Sequence, residues 1–372
     1  MPLNTRTVAV TILAVVADGC VGTGEAVTPT STSPATSPEV VAEPSTTTTP
    51  AEPFQDAHPD FDFEQNGLIA PVWNSAAYGT DAFAELLEEL VATGAEWVTL
   101  VPTWYQADLT TSEIQPAWQD RTPTDDSLGA AFRLARSLGL RVTLKPHLDP
   151  AAGEPRAAIE PSDVDAWFAS YASFIVHYAK LAEDLGADQF IIGTELAGTV
   201  GDTQHWLSVI NDIRSIYSGP ILYAANYDEY QRIEFWDALD AIGVDAFYPL
   251  AEEPTTDVER LVDAWKPIVA ELAALSSDLD RPVVFTEAGY TSQVGTVTVP
   301  HDPWPSSVLS EEEQVAGVTA LLRSFEGEQW FAGTHWWMWF DYVGDEFAKS
   351  LGHTPQGKPA EDVLKKAWSS VG

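Results

Sequence analysis

Two glutamates each close a short apolar run: Glu195 in IIGTEL (191–196) and Glu287 in VVFTEA (283–288). Small or hydroxylated residues surround both, and neither segment contains a lysine or arginine. A carboxylic acid that gives up a proton, facing a carboxylate that attacks carbon, is what retaining glycoside hydrolysis requires. The acid needs a raised pKa, which apolar and aromatic surroundings supply. Its partner needs hydrogen-bond donors that keep it ionised. The bland alternative for each glutamate is an ion pair at a rim. With 18 Lys and Arg against 56 Asp and Glu, basic partners are scarce, which favours the chemical reading.

Positions so far apart in sequence meet only if a regular scaffold brings them together. Eight apolar, β-branched runs recur at 67–73, 97–104, 141–147, 190–195, 221–226, 241–248, 282–287 and 331–337. Amphipathic stretches separate them at 83–94, 128–139, 167–186, 206–217, 258–275 and 311–325. In the first of these, Phe83, Leu86, Leu87, Leu90 and Val91 recur at helical spacing. Gly94, Gly139 and Gly186 stand where helix C-caps belong. The short link between the fifth and sixth runs predicts one modest helix around Ile233–Leu239. Strands that are apolar throughout and alternate with helices predict an α/β fold, a (β/α)8 TIM barrel over residues 57–372. An open doubly wound sheet would bring a glycine-rich phosphate loop after its first strand, and PVWNSAAYG (71–79) has none. Strand alternation puts Ile191, Gly193 and Glu195 on one side, with Gly193 leaving room for a ligand, and likewise groups Val283, Phe285 and Glu287.

In such barrels the chemistry sits at the C-terminal strand ends. Read in order, those ends offer Trp73, Trp104 and Tyr105, Lys145 and His147, Glu195, Asn226, Tyr248, Glu287, and Trp336 with Trp337. Sugar rings present apolar C–H faces that stack on tryptophan and tyrosine, so these aromatics, with Tyr290, are expected subsite walls. Adjacent Trp336 and Trp337 point opposite ways, so only one faces the pocket. Tyr248, Asn226 and His147 are the expected donors. Lys145 suggests a Schiff base, and His147 with Asp149 suggests a metal. The first lacks phosphate-binding loops and leaves the glutamates unexplained, and the second has too few ligands. Hydrogen bonding of Lys145 and His147 to sugar hydroxyls fits better. No metal and no cofactor are expected.

The chain carries a net charge of −38. That opposes nucleic acid as a partner and fits a neutral polysaccharide or oligosaccharide, and it is compatible with the blander reading of a solubility or salt-adapted surface. Arg6, the apolar run VAVTILAVVA (8–17) and Cys20 form a leader of signal-peptide layout over residues 1–20. Cys20, the only cysteine, stands where a bacterial lipoprotein is lipidated, although Asp18 departs from the usual small residue. Residues 21–56, rich in Thr, Ser and Pro, read as a disordered tether. The expected location is extracellular, at a bacterial surface, with the membrane reached only through the lipid.

The segments VPTWYQ (101–106), TLKPHLD (143–149), FIIGTELAGT (190–199), YAANYDEY (223–230), DAFYPL (245–250), VFTEAGY (284–290) and THWWMWF (334–340) resemble glycoside hydrolase family 113. That family belongs to a clan of retaining glycosidases on eight-fold barrels and consists largely of endo-β-1,4-mannanases. Thr194-Glu195 replaces the clan's usual Asn-Glu but agrees with this family. The resemblance implies Glu195 as acid/base, Glu287 as nucleophile, Tyr248 as hydrogen-bond donor to the nucleophile and Trp337 as platform. Lys145, His147 and Asn226 are implied as subsite ligands. It implies hydrolysis of β-mannan or glucomannan. The rival readings are another β-linked sugar and a non-catalytic glycan-binding lipoprotein.

Overall fold

The computed structural model describes residues 65–340 and 346–369. The leader, Cys20 and the tether lie outside the described residues. The elements are β1 (Gln65–Pro71), α1 (Asp81–Val91), β2 (Trp97–Val101), β3 (Thr103–Gln106), β4 (Ile114–Gln115), α2 (Asp125–Ser137), β5 (Arg141–Leu144), β6 (His147–Pro150), α3 (Val164–Leu185) and β7 (Gln189–Thr194). They continue with α4 (Thr203–Arg214), β8 (Ile221–Asn226), β9 (Ala241–Asp245), α5 (Val258–Leu279), β10 (Val283–Ala288), α6 (Glu311–Phe325), β11 (Phe331–Trp336), α7 (Glu346–Leu351) and α8 (Pro359–Ser369).

Eight strands close a barrel in the order β1, β2, β5, β7, β8, β9, β10, β11 and back to β1, with every pairing parallel. The sequence places all eight. The second and third runs are longer than the strands they yield, because Pro102 and Pro146 end them. Beyond those prolines the chain re-forms as β3 and β6, which pair with each other, and β3 also pairs with β4 on its other edge. The helix expected around Ile233–Leu239 is two single 3-10 turns, Tyr230–Arg232 and Trp236–Ala238.

The helices begin where a side chain can accept the first free N–H groups. Thr80, Thr124, Asp163, Asp257 and Ser310 cap α1, α2, α3, α5 and α6. Gly94, Gly139 and Gly186 have φ of 89°, 84° and 67°, the left-handed turn that stops a helix. Most of the core lies between barrel and helices. A small inner cluster of Ile191, Leu222, Ala224, Ala241, Val284 and Ala332 fills the barrel itself. Across its interior Gln65 joins Gln189, His335 joins Gln65, and Thr99 joins His335, at 3.1, 2.8 and 2.7 Å. Burial holds His335 near pKa 3, so this polar layer is uncharged. No helix among the described residues is long and apolar enough to cross a membrane.

Candidate active site

The C-terminal end of the barrel gathers a chain of charges. Lys145, just past β5, is fully buried. Its ammonium donates to Asp245 Oδ1 and Oδ2 at 2.9 and 3.2 Å, to Glu287 Oε1 at 2.6 Å and to the Thr286 carbonyl at 3.4 Å. Asp245, at the end of β9, is also fully buried and accepts from Thr286 Oγ1 at 2.7 Å. Arg156, in a turn after β6, pairs with Asp149 at 2.8 Å and reaches Glu195 Oε2 at 3.4 Å. His147 Nε2 lies 3.6 Å from Glu287 Oε1 and is buried without a hydrogen-bond partner. Its ring stacks on Trp337, with centroids 6.4 Å apart and planes at 17°.

Strand alternation does not place the two glutamates as expected. Gly193 does not share a side with Ile191. A Cβ there would meet the Tyr223 ring at 2.7 Å and Trp206 at 2.9 Å, in the layer beneath α4, whereas Ile191 belongs to the inner cluster. The register of β7 on β8 shifts between Ile191 and Thr194, and Glu195 itself has φ of 52°. Likewise Val283 and Phe285 pack outside the barrel, and β10 shifts register against β9 between Phe285 and Glu287. An extra residue in one strand breaks the two-residue period and re-aims the side chains beyond it. Both bulges come immediately before a glutamate. The left-handed backbone of Glu195 costs about 1–2 kcal/mol for a residue other than glycine.

Burial is the first cause of unusual acidity in both. It pushes Glu195 up to about 7, with the Asp245 charge adding and Arg156 and Lys145 opposing. It pushes Glu287 up to about 8, with Asp245 again adding, Lys145 opposing and the Glu195 charge adding. Two buried carboxyls that sense each other titrate as a pair, which holds one proton near neutral pH. Burial weighs more heavily on Glu287 and taken alone would leave the proton there. The Lys145 ammonium, however, donates directly to Glu287 at 2.6 Å, whereas the cation nearest Glu195 stands at 3.4 Å. This direct contact favours the anion on Glu287 and the proton on Glu195. His147 is driven well below its ordinary value by burial, then by Arg156 and Lys145, and is neutral.

The remaining sequence-derived residues divide. Trp337 faces the charges through His147, whereas Trp336 is buried in the outer core. Tyr105 is buried beneath the Arg121 guanidinium, 4.0 Å above its ring, and its hydroxyl lacks a partner. Asn226 ends β8 directly beside Asp245. Trp104 turns to Trp118, Phe174 and His177 and donates to the Tyr178 hydroxyl at 2.9 Å. Tyr248 packs on Tyr227 and Trp265 of α5, and its buried hydroxyl has no hydrogen-bond partner, so it makes no hydrogen bond to Glu287. Tyr290 lies against Gly317 of α6. Trp73 is exposed and meets Phe340 edge-on. Lys145 is engaged by carboxylates instead of being free for sugar hydroxyls. Sequence reasoning misses Asp245 and Arg156. Asp245 is the last residue of β9, and ending the sixth run there instead of at Tyr248 would have found it. Nothing in the loop around Arg156 marks it.

A closed parallel barrel with buried, unequally paired carboxyls at its C-terminal end is the plan of a barrel hydrolase. The sequence model of Glycoside Hydrolase Family 113 matches residues 70–354. The chain belongs to that family and is a glycoside hydrolase acting on carbohydrate. A β-mannanase of this family from Alicyclobacillus acidocaldarius, AaManA in complex with ManMIm, superposes with a TM-score of 0.76 at 27% identity, over 84% of this chain and 100% of that one. A complex of a β-1,4-mannanase of the family gives 0.74 at 26%, over 82% and 99%. A β-glucuronidase from Ruminococcus gnavus shares the fold at 16% identity, with a TM-score of 0.54 over 82% of this chain and 49% of that one. No curated protein matches the chain.

Proposed function

We propose that the chain is a retaining endo-β-1,4-mannanase in which Glu287 is the nucleophile and Glu195 the acid/base. The unequal pairing of the two carboxyls carries this reading. Lys145 contacts Glu287 at 2.6 Å, whereas Glu195 meets a cation only at 3.4 Å. One carboxyl is therefore held as the anion and the other keeps the shared proton. Glu287 attacks the anomeric carbon while Glu195 protonates the departing glycosidic oxygen, giving a glycosyl ester and a free hydroxyl end. Glu195, now ionised, takes a proton from water as that water attacks the anomeric carbon, breaking its bond to oxygen and releasing the Glu287 carboxylate. Trp337 would serve as the stacking face, and the unsatisfied His147 Nε2 and Tyr105 hydroxyl support a role in bonding sugar hydroxyls. Mannan is the proposed substrate because the full-length structural relatives are described as mannanases.

Kinetics separate the roles. Glu195→Ala keeps turnover of dinitrophenyl glycosides, and azide restores rate by forming a β-glycosyl azide. Glu287→Ala loses on the order of 10⁴-fold or more on activated and natural substrates alike. Equal losses in both variants on the activated substrate would sink the assignment. The leader and Cys20 support a further proposal, an anchored extracellular enzyme. Cys20→Ser should then release the protein from the membrane fraction, and unchanged fractionation would contradict it.

A further inference from the structure

Glu229 is a carboxylic acid with no place in the two-step reaction, yet it is fully buried. It sits in the turn after β8, and both of its oxygens are occupied. Oε1 accepts from the Tyr223 hydroxyl at 2.7 Å, and Oε2 accepts from the Asn226 N–H at 3.0 Å. The same Tyr223 hydroxyl accepts from the Leu196 N–H at 2.8 Å. Leu196 is the residue after Glu195, whose backbone stands at φ 52°. The Tyr223 ring also occupies the space a Cβ on Gly193 would need. One tyrosine thus holds the chain on both sides of Glu195.

We propose that Glu229 and Tyr223 are positioning residues that fix the left-handed backbone at Glu195 and so aim its carboxyl at the leaving oxygen. A buried carboxylate is costly unless donors satisfy it, and burial raises Glu229 to about 7. A neutral side chain would satisfy the Asn226 N–H with less desolvation. What the carboxylate adds is a stronger, polarised hydroxyl, because a tyrosine donating to an anion is a better acceptor for the next N–H. That acceptor meets the chain beside the residue whose backbone is strained. Asn226 shares the turn, so one group sets the acid/base on β7 and a polar residue on β8.

The inference rests on the acid/base reading of Glu195, and the test separates the two. Values of kcat/KM on β-1,4-mannan and on 2,4-dinitrophenyl β-mannobioside are measured for the wild type, Tyr223→Phe, Glu229→Gln, Glu195→Ala and the double variant Tyr223→Phe/Glu195→Ala. Tyr223→Phe keeps the packed ring and removes only the hydroxyl. It should lose about 10–100-fold on mannan, as a misplaced acid does, and less than about threefold on the activated glycoside. In the Glu195→Ala background it should cost nothing more, because residues acting as one unit are not additive. Glu229→Gln keeps one acceptor and should show the same pattern more weakly. It serves as the sole readout if Tyr223→Phe does not fold. Equal losses on both substrates, or losses that add to those of Glu195→Ala, would overturn the relay. If Glu195→Ala itself shows no preference for the activated substrate, the acid/base assignment fails and takes the relay with it.

Discussion

Glu195 and Glu287 carry the same side chain, and their neighbours make them different. Asp245 raises both, Arg156 and Lys145 lower Glu195, and Lys145 in direct contact lowers Glu287. On the proposed roles activity needs one proton on the pair, so kcat/KM should fall as that proton leaves, at pH values near and above 7 to 8. The direction of change in variants is set by charge. Arg156→Met removes a cation that favours ionised Glu195, so the acid holds its proton longer and the alkaline limb moves to higher pH. Asp245→Asn removes an anion that opposes ionisation, so the limb moves to lower pH. Profiles of kcat/KM against pH check both, and shifts in the same direction for the two variants would contradict this electrostatic account. The sequence pairs Lys145 with sugar hydroxyls. Because Asp245 closes β9 opposite it, the ammonium instead neutralises two buried carboxylates, an arrangement that spacing alone does not reveal.

At the scale of elements, two bulges do what regular strands would not. Phe285 packs outward against Trp265, Phe325 and Phe331, and within two residues the same strand turns Glu287 onto Lys145. Gly193 makes the equivalent turn before Glu195 possible by leaving space for Tyr223. Gly193→Ala would place a methyl 2.7 Å from that ring. It should cost about 1–3 kcal/mol in denaturant unfolding and lower activity on natural substrate at the same time. A stable, fully active variant would contradict the packing described for β7. The barrel was legible in the sequence because buried parallel strands are apolar throughout and each helix carries its own apolar period, as α1 and α6 do. The glutamates were legible because they close such strands. Their orientation was not, since a two-residue period cannot foresee a register shift. The aromatic residues were read unevenly for a related reason. Trp337 and Trp104 both lie at strand ends, and only tertiary packing decides that one faces the charges while the other enters the cluster on α3. Loop residues such as Arg156 and Glu229 carry no periodic signal, and their importance emerges only from what they touch.

The molecule as a whole bears a net charge of −38, while its catalytic end contains Lys145 and Arg156 among carboxylates. An acidic surface repels anionic polymers and leaves neutral glycans unhindered, in keeping with a carbohydrate substrate. The same charge strains the folded state by self-repulsion, which salt screens over a distance of about 10 Å at 0.1 M. Melting temperature should therefore rise by several degrees between low salt and about 0.5 M sodium chloride, and a fall would contradict the surface-repulsion account. The buried Lys145 network should not contribute to that response, because buried pairs are little screened. The central claim concerns two atoms: the carboxyl oxygen of Glu287 and the anomeric carbon it attacks. A 2-deoxy-2-fluoro mannobiosyl donor with a good leaving group slows release of the glycosyl enzyme, and peptide mass spectrometry then locates the bound sugar. The account predicts a single adduct on Glu287. Turnover without an adduct, or an adduct on Glu195, would contradict it.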